Sequence, residues 1–326
     1  MRVGVFGYGN LGRSAEIALS KRRDTELFGV FSRRCASNIK TVYEKTKVYP
    51  AAEVLKYKDD IDIMLITAGS KTDLPNITPY LARHFNLIDS YDDHEKIASH
   101  IKKTDDGAKI GGKLALVSAG WDPGFLSIAR LYFSAFLPFG EGATVWGRGI
   151  SQGHSEALRG ITGVKDAREI TVPIPEAVRE AREGRFLRTN KESHVRECFI
   201  VKEPYADEEK IKEAVFSMKG YFEGYKTSVH FVNEEELGKI SSDFSHAGRV
   251  FRRANGGKCG EYSFFAELFL KMESNPDFTA GILASLCPAL MKMRRSGAIG
   301  AITLLDVSPK DLFPEEEYFK LIERYM

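Results

Sequence analysis

Six residues near the start of the chain, Gly7-Tyr8-Gly9-Asn10-Leu11-Gly12, are spaced to hold a pyrophosphate. The first glycine permits a tight turn, the second brings the backbone close to the anion, and the third lets a helix pack on a strand. Backbone amides and the dipole at the helix N-terminus then face the phosphates. About 20 residues beyond such glycines, a site for NAD usually carries an acidic residue on the ribose 2′-hydroxyl. Here Ser32-Arg33-Arg34 stands instead. A guanidinium fork suits a 2′-phosphate, which a carboxylate would repel, so the pattern predicts NADP over NAD. Thr67-Ala68-Gly69-Ser70 ends another strand and is expected at the same sheet edge.

Two carboxylates follow two further strand-like runs. Asp92 lies in Ser90-Tyr91-Asp92-Asp93-His94, and Asp122 in Ala119-Gly120-Trp121-Asp122-Pro123-Gly124. Strand ends on the cofactor side of a sheet place them where a cationic group, such as a substrate ammonium, would sit. Trp121 and Trp146 are the only tryptophans, and glycines flank both, which would let a ligand approach the backbone. His154, in Ser151-Gln152-Gly153-His154-Ser155, reads equally as a loop or cap histidine and as an acid–base group. The four cysteines, Cys35, Cys198, Cys259 and Cys287, form no CxxC pair, so no disulfide framework and no metal site is expected.

The elements that must position these residues follow from the hydrophobic pattern. Arg2 to Phe6, Leu27 to Phe31, Ile61 to Thr67, Asn86 to Asp89 and Leu114 to Ser118 read as strands, with a helix over Leu11 to Lys21. That rhythm means a parallel α/β sheet with right-handed crossovers. After Gly124 the pattern changes. An apolar helix is expected over Phe125 to Leu137. Strands are expected over Glu169 to Pro173, Glu197 to Val201 and Thr227 to Val232, with helices over Ile174 to Glu183 and Asp207 to Met218. A long apolar helix over Phe278 to Met293 and a strand over Ala301 to Val307 end the series. The fold class is therefore α/β, a Rossmann-type parallel-sheet dinucleotide domain plus an α+β domain with a mixed or antiparallel sheet. The expected division is residues 1–122, completed by 295–326, and a second domain over 123–294.

Composition bounds the function more loosely. With 47 basic and 45 acidic residues in 326, the net charge is +2, which argues against coating nucleic acid or an anionic membrane. A 43% hydrophobic and 28% charged composition suits a globular protein. The longest uncharged run is too short to span a bilayer, and Met1 leads straight into a strand, so a cytoplasmic enzyme without a signal peptide is expected.

In this order, GYGNLGRS at Gly7, FSRR at Phe31, SYDDH at Ser90, ALVSAGWDPG at Ala115, WGRGISQGHSEALR at Trp146, RECFIV at Arg196 and NPDFTA at Asn275 resemble meso-diaminopimelate dehydrogenase over nearly the whole length. The resemblance implies NADP-dependent, reversible oxidative deamination of meso-2,6-diaminopimelate at its D-centre, within lysine and diaminopimelate biosynthesis, by a homodimer. It implies cofactor contacts from Gly7, Tyr8, Gly9, Asn10, Leu11, Gly12, Ser32, Arg33, Arg34, Thr67, Ala68, Gly69, Ser70, Ser90, Tyr91, Asp92, Ala119, Gly120, Trp121, Asp122, Pro123 and Asn275. Asp92, Asp122, Trp121 and Trp146 match positions holding the reacting D-centre, and Gln152, Gly153 and His154 line the middle of the site. Thr171, Arg196, His246 and Asn275 match those holding the distal L-centre and its carboxylate. Asp92, Asp122 and His154 are the implied catalytic set. Two departures from the family pattern, Arg148 and the basic run Arg249-Val250-Phe251-Arg252-Arg253, are expected to affect loop closure or tolerance for other D-amino acids. The competing readings are an NADP-dependent D-amino acid dehydrogenase of broader range and a non-catalytic NADP-binding sensor.

Overall fold

The computed structural model describes residues 1–241, 245–313 and 318–326. In chain order the first elements are β1 (Arg2–Phe6), α1 (Asn10–Ser20), β2 (Glu26–Ser32), β3 (Val48–Pro50), β4 (Ile63–Ile66), α2 (Leu74–Leu81), β5 (Asn86–Asp89), α3 (Ile97–Gly111) and β6 (Leu114–Leu116). Next come α4 (Phe125–Phe136), β7 (Glu141–Trp146), β8 (Gly149–Ile150), α5 (Gln152–Arg159), β9 (Val164–Pro173), α6 (Pro175–Arg182), β10 (His194–Lys202) and α7 (Glu208–Phe216). The last are β11 (Lys226–Phe231), α8 (Glu234–Ser241), β12 (His246–Gly256), β13 (Tyr262–Met272), α9 (Asn275–Arg295), β14 (Gly300–Ile302) and α10 (Tyr318–Tyr325). The chain divides into two units, Met1–Ile128 with Pro276–Met326, and Ala129–Asn275.

The first unit is built on a seven-stranded sheet in the order β14-β6-β5-β4-β1-β2-β3, with every pairing parallel. A parallel sheet is covered on both faces, so its strands are apolar throughout, as the Ile-Met-Leu-Ile of β4 illustrates. Alternation divides the side chains between two cores. Val3, Val5 and Leu65 join one cluster, while Phe6, Met64 and Ile66 join the other. In this order the sheet reverses direction of growth at β1, the position where Rossmann-type sheets bind dinucleotides.

Two expectations change here. The long apolar helix, α9, was expected in the second domain over 123–294. Its Ala280, Leu283, Leu286 and Leu290 instead pack with Val3, Val5 and Leu19 in the core of the first unit. The final strand stops at Ile302 rather than Val307. Thr303 caps the next turn: its backbone amide donates to Asp306 Oδ2 at 2.8 Å, and its hydroxyl accepts from Leu305 N at 3.2 Å. Those local bonds divert the backbone from the sheet ladder. Of the expected closing segment 295–326, residues 314–317 lie outside the described residues.

The second unit carries two sheets where one was expected. The four-stranded sheet, ordered β11-β10-β9-β8, is mixed: β10 runs parallel to β11 and antiparallel to β9. The three-stranded sheet, ordered β13-β12-β7, is antiparallel. Its long β12–β13 hairpin was not foreseen, because the basic residues of β12 interrupt the apolar alternation. Each is held by a neighbour within the unit. Arg249 stacks on Phe269 at 3.8 Å, Arg252 Nε donates to Leu137 O at 2.9 Å, and Arg253 Nη1 donates to Glu183 O at 3.2 Å. The basic run is therefore part of a strand fastened to its neighbours.

Candidate functional site

The glycine motif bridges β1 and α1. Gly7 has φ +99°, and a Cβ there would stand 2.7 Å from Ala68 N, so the turn tolerates only glycine. A Cβ on Gly12 would collide with Gly7 O, whereas one on Gly9 would meet open space. The first and third glycines thus serve the turn and the helix packing, and the second leaves the approach for an anion. Thr67 Oγ1 donates to Gly7 O at 2.7 Å and ties the end of β4 to the turn.

Tyr8 points away from this approach into the protein. Its hydroxyl donates to the fully buried Glu16, which also accepts from Val42 N at 3.0 Å, Tyr43 N at 3.1 Å and the Thr46 hydroxyl. Burial and the Glu16 carboxylate push the Tyr8 phenol up to about 12. One buried carboxylate therefore anchors both the glycine turn and the segment around Val42. Glu16 was not singled out in the sequence, because three of its donors lie about 30 residues away in a stretch without a periodic pattern.

At the end of β2, Ser32 is buried and accepts from Arg34 N at 3.1 Å, while Arg33 and Arg34 are exposed. Arg33 Nη2 pairs with Asp73 at 2.7 Å, and Arg34 Nη2 donates to Tyr8 O. Each guanidinium has five donors, so these contacts orient the groups and leave further N–H bonds for a phosphate. The positive-φ turn, the open space at Gly9, the N-terminus of α1 and the paired arginines together fit NADP.

Ser90, Tyr91 and Asp92 follow β5, and Ala119 to Pro123 follow β6, at the same edge of the sheet. Both segments hang on Asp89, which is fully buried. Its Oδ1 accepts from Tyr91 N at 3.2 Å and from Ser118 N at 2.8 Å, and its Oδ2 lies 2.6 Å from His100 Nε2. His100, on α3, also stacks on Tyr91 at 4.1 Å between centroids. Ser118 is held at φ +56°, a conformation non-glycine residues adopt only under constraint. The Asp89–His100 pair escaped the sequence reading, since 10 intervening residues include no pattern linking a strand end to a helix face.

Asp92 is fixed by Ser70, whose hydroxyl donates to its Oδ1 at 2.6 Å and accepts from its amide at 3.0 Å. The protein crowding this carboxyl pushes it above the ordinary range, yet the residue remains exposed to solvent. Trp121 is 9% exposed, and Asp122 is half-buried beside the cis Asp122–Pro123 bond.

In the second unit, Trp146 ends β7 and its amide donates to His194 Nε2 at 3.0 Å. The glycines beside it, expected to let a ligand approach the backbone, stand where the chain packs on β12. A Cβ on Gly147 would collide with Ala247, and one on Gly149 would stand 2.5 Å from His246 Cγ. They allow the chain to run close to β12. His246, expected in a loop, is buried as the first residue of β12. Arg148, between the two glycines, is exposed. Ser151 caps α5, and its hydroxyl lies 2.7 Å from His154 Nδ1, so His154 belongs to the first turn of a helix rather than to a loop. Gln152 and Gly153 open that helix, and Asn275 opens α9.

Arg196, which in isolation reads as a surface strand residue, is 5% exposed. It lies opposite Thr171 in the β9–β10 ladder, and its Nη1 donates to the Thr171 hydroxyl and, at 3.3 Å, to Glu169 Oε1. The Tyr225 ring lies 4.4 Å from the guanidinium carbon. Arg196 Nε is buried without a hydrogen-bond partner. A buried guanidinium with an unused donor suits a carboxylate ligand.

The family profile described as Diaminopimelic acid dehydrogenase C-terminal domain matches residues 120–274. The meso-diaminopimelate D-dehydrogenase of Ureibacillus thermosphaericus is 42% identical over 325 residues, covering 97% of this chain and 98% of its own length. A structure of the C. glutamicum DAP dehydrogenase in complex with DAP superposes with a TM-score of 0.92 at 39% identity, covering 100% of this chain and 99% of that one. An engineered D-amino acid dehydrogenase bound to NADP+ gives a TM-score of 0.92 at 38% identity, with the same coverage. The chain belongs to the meso-diaminopimelate D-dehydrogenase family.

Proposed function

We propose that this chain catalyses the NADP-dependent, reversible oxidative deamination of meso-2,6-diaminopimelate at its D-configured carbon, giving L-2-amino-6-oxopimelate and ammonia. The observation that carries the reading is similarity along the whole chain, at a TM-score of 0.92, to a dehydrogenase solved with diaminopimelate. The arginines after β2 support NADP as the cofactor, in line with the NADP+-bound relative.

Bound NADP+ would supply the acceptor for a hydride from the substrate α-carbon. Gly7, Tyr8, Gly9, Asn10, Leu11 and Gly12 would hold its pyrophosphate, with Ser32, Arg33 and Arg34 at the 2′-phosphate. Thr67 to Ser70, Ser90 to Asp92, Ala119 to Pro123 and Asn275 would make the remaining cofactor contacts. Asp92 and Asp122 orient the D-centre amine and stabilise the positive charge that develops on it, an electrostatic role for preorganised carboxylates. Ser70 preorganises Asp92 through two hydrogen bonds. Trp121 and Trp146 wall that centre, with Gln152 and Gly153 at the middle of the substrate. His154, whose ring Ser151 orients, is the acid–base candidate that moves the amine proton, directly or through water. Thr171, Arg196, His246 and Asn275 bind the distal L-centre, with Arg196 on its carboxylate.

The protein is proposed to act in the cytoplasm in lysine and diaminopimelate biosynthesis, as a homodimer. Among the described residues, no helix is long and apolar enough to cross a membrane. Tyr262 and Phe264 on one face of β13, and Phe265 and Phe269 on the other, are exposed, apolar strand surface suited to a second copy of the chain. NADPH formation from the meso, L,L and D,D isomers, with NADP+ against NAD+, tests the activity. Turnover of the meso isomer with NADP+ is expected, and inertness toward all three isomers refutes it. Asp122→Ala is expected to lose several orders of magnitude in kcat/KM with NADP+ affinity nearly intact. Near-normal turnover would remove Asp122 from the mechanism.

A further inference from the structure

Glu169 has no part in the reaction as described above. It is fully buried on β9, opposite Cys198 of β10, two residues from Thr171 and therefore on the same face as Thr171 and Arg196. Among the described residues, its carboxylate has two partners. Arg196 Nη1 lies 3.3 Å from Oε1, and the Thr171 hydroxyl lies 3.2 Å from Oε1 and 3.4 Å from Oε2. An ionised carboxylate offers about four acceptor sites, so this one is poorly satisfied for a group removed from water. Meanwhile Arg196 Nε is buried and unbonded. One guanidinium thus faces an internal carboxylate and is also the group proposed for the substrate's distal carboxylate. Two anions cannot share one buried cation without strong repulsion.

We propose that Glu169 sets the charge of the Arg196 subsite, and that the substrate's distal carboxylate enters together with a proton taken up by Glu169. The proton comes from solvent and adds to a Glu169 carboxylate oxygen. That changes the direction of one hydrogen bond. With Glu169 ionised, the Thr171 hydroxyl donates to it. With Glu169 protonated, its O–H donates to Thr171 Oγ1, and the Thr171 proton becomes available to the incoming carboxylate. Arg196 then presents an uncompensated positive charge. Burial holds Glu169 near neutrality, pushed up to about 7 in the face of the Arg196 charge that lowers it, so the exchange falls in a working pH range.

The surrounding groups leave this role to Glu169. On β10, Cys198 is a buried thiol pushed up by burial, and Glu197 adds negative charge that raises Glu169 further. From α5, Ser155 Oγ accepts from the Glu169 backbone amide at 2.9 Å. The other titratable residues of α5 are His154, Glu156 and Arg159, of which Arg159 bonds to Ala167 O and pairs with Asp166. From α8, Glu234 reaches β9 at Lys165. His194, on β10 beyond Arg196, is held below the ordinary imidazole range by burial. Tyr225 lies against the guanidinium, not the carboxylate.

The inference rests on Arg196 binding the distal carboxylate. The test compares wild type with Glu169→Gln, a neutral mimic of the protonated acid. In wild type, KM for diaminopimelate should rise relative to the variant by up to about tenfold per pH unit above about pH 7, the limit for one proton, while kcat responds alike in both. The ratio of the two proteins cancels the titration of the substrate amines. Calorimetric binding of L-2-aminopimelate, which keeps the L-centre and both carboxylates but lacks the D-amine, supplies a second readout without turnover. In buffers of different ionisation enthalpy, wild type should take up a fraction of a proton near neutral pH and Glu169→Gln none. Identical KM profiles together with no proton uptake by wild type overturn the proposal. Proton-coupled binding of L-2-aminopimelate by a wild type inert toward diaminopimelate would sustain it while sinking the proposed reaction.

Discussion

Removing the carboxylate of Asp89 should both destabilise the first unit and disable it. In Asp89→Ala, the amides of Tyr91 and Ser118 lose acceptors that now stand at 3.2 and 2.8 Å, and His100 loses its partner at 2.6 Å. All three residues are buried, so water does not replace the lost bonds without disruption. Each stranded donor costs about 1–3 kcal/mol, and breaking a buried pair about 3–5, which overlap to give about 5 kcal/mol in all. At about 2–4 °C per kcal/mol for a unit of this size, thermal unfolding should fall by roughly 10–20 °C. Activity should fall even well below the new midpoint. Ser118 would relax from its positive φ, and the segments bearing Asp92 and Asp122 would shift, where a misplacement of about 1 Å costs on the order of a hundredfold. Differential scanning fluorimetry and NADPH formation at a common low temperature measure the two effects. A midpoint within about 3 °C of wild type would refute the buried-pair account, because such a change matches an exposed contact.

Gly12→Ala places a methyl against Gly7 O and within 3.2 Å of Thr67 Oγ1. Overpacking of about 1–3 kcal/mol should open the glycine turn and weaken NADP+ binding about tenfold or more, measured by fluorescence titration. Glu169 makes stability depend on pH with a definite sign. Its folded-state value, about 7, lies above the ordinary 4.5, so its stabilising contribution is complete below about pH 4.5 and is lost as pH rises through about 7. The loss is about 3 kcal/mol and should be missing in Glu169→Gln when the two are compared by urea unfolding at about pH 5 and pH 8.

Local chemistry made much of the first unit legible from sequence. Strand β5 was placed with its ends at Asn86 and Asp89, and β1 and α1 were placed around the glycines, because hydrophobic period and turn residues act over a few neighbours. The carboxylates Asp92 and Asp122 were singled out because they stand just past strand ends, where parallel sheets gather ligands. Arg196 and His246 were visible only through family resemblance. Nothing in their own neighbourhoods marks a buried strand arginine or a buried strand histidine.

Tertiary structure decided what depends on distant partners. The sequence could not show that α9 returns to the first core, since an apolar helix fits any apolar surface of suitable shape. Nor could it show that Gly147 and Gly149 accommodate β12, about 100 residues later. The same holds for three buried carboxylates. Glu16, Asp89 and Glu169 look like ordinary surface acids in sequence, and each is fully buried. A carboxylate leaves water where donors are assembled for it, as around Glu16 and Asp89, or where it can take up a proton, as proposed for Glu169, and strand pairing and helix packing build both surroundings. Residue types and their short-range spacing determined the kind of chemistry this protein does. The long-range ladder determined which charges are buried and how they are paired.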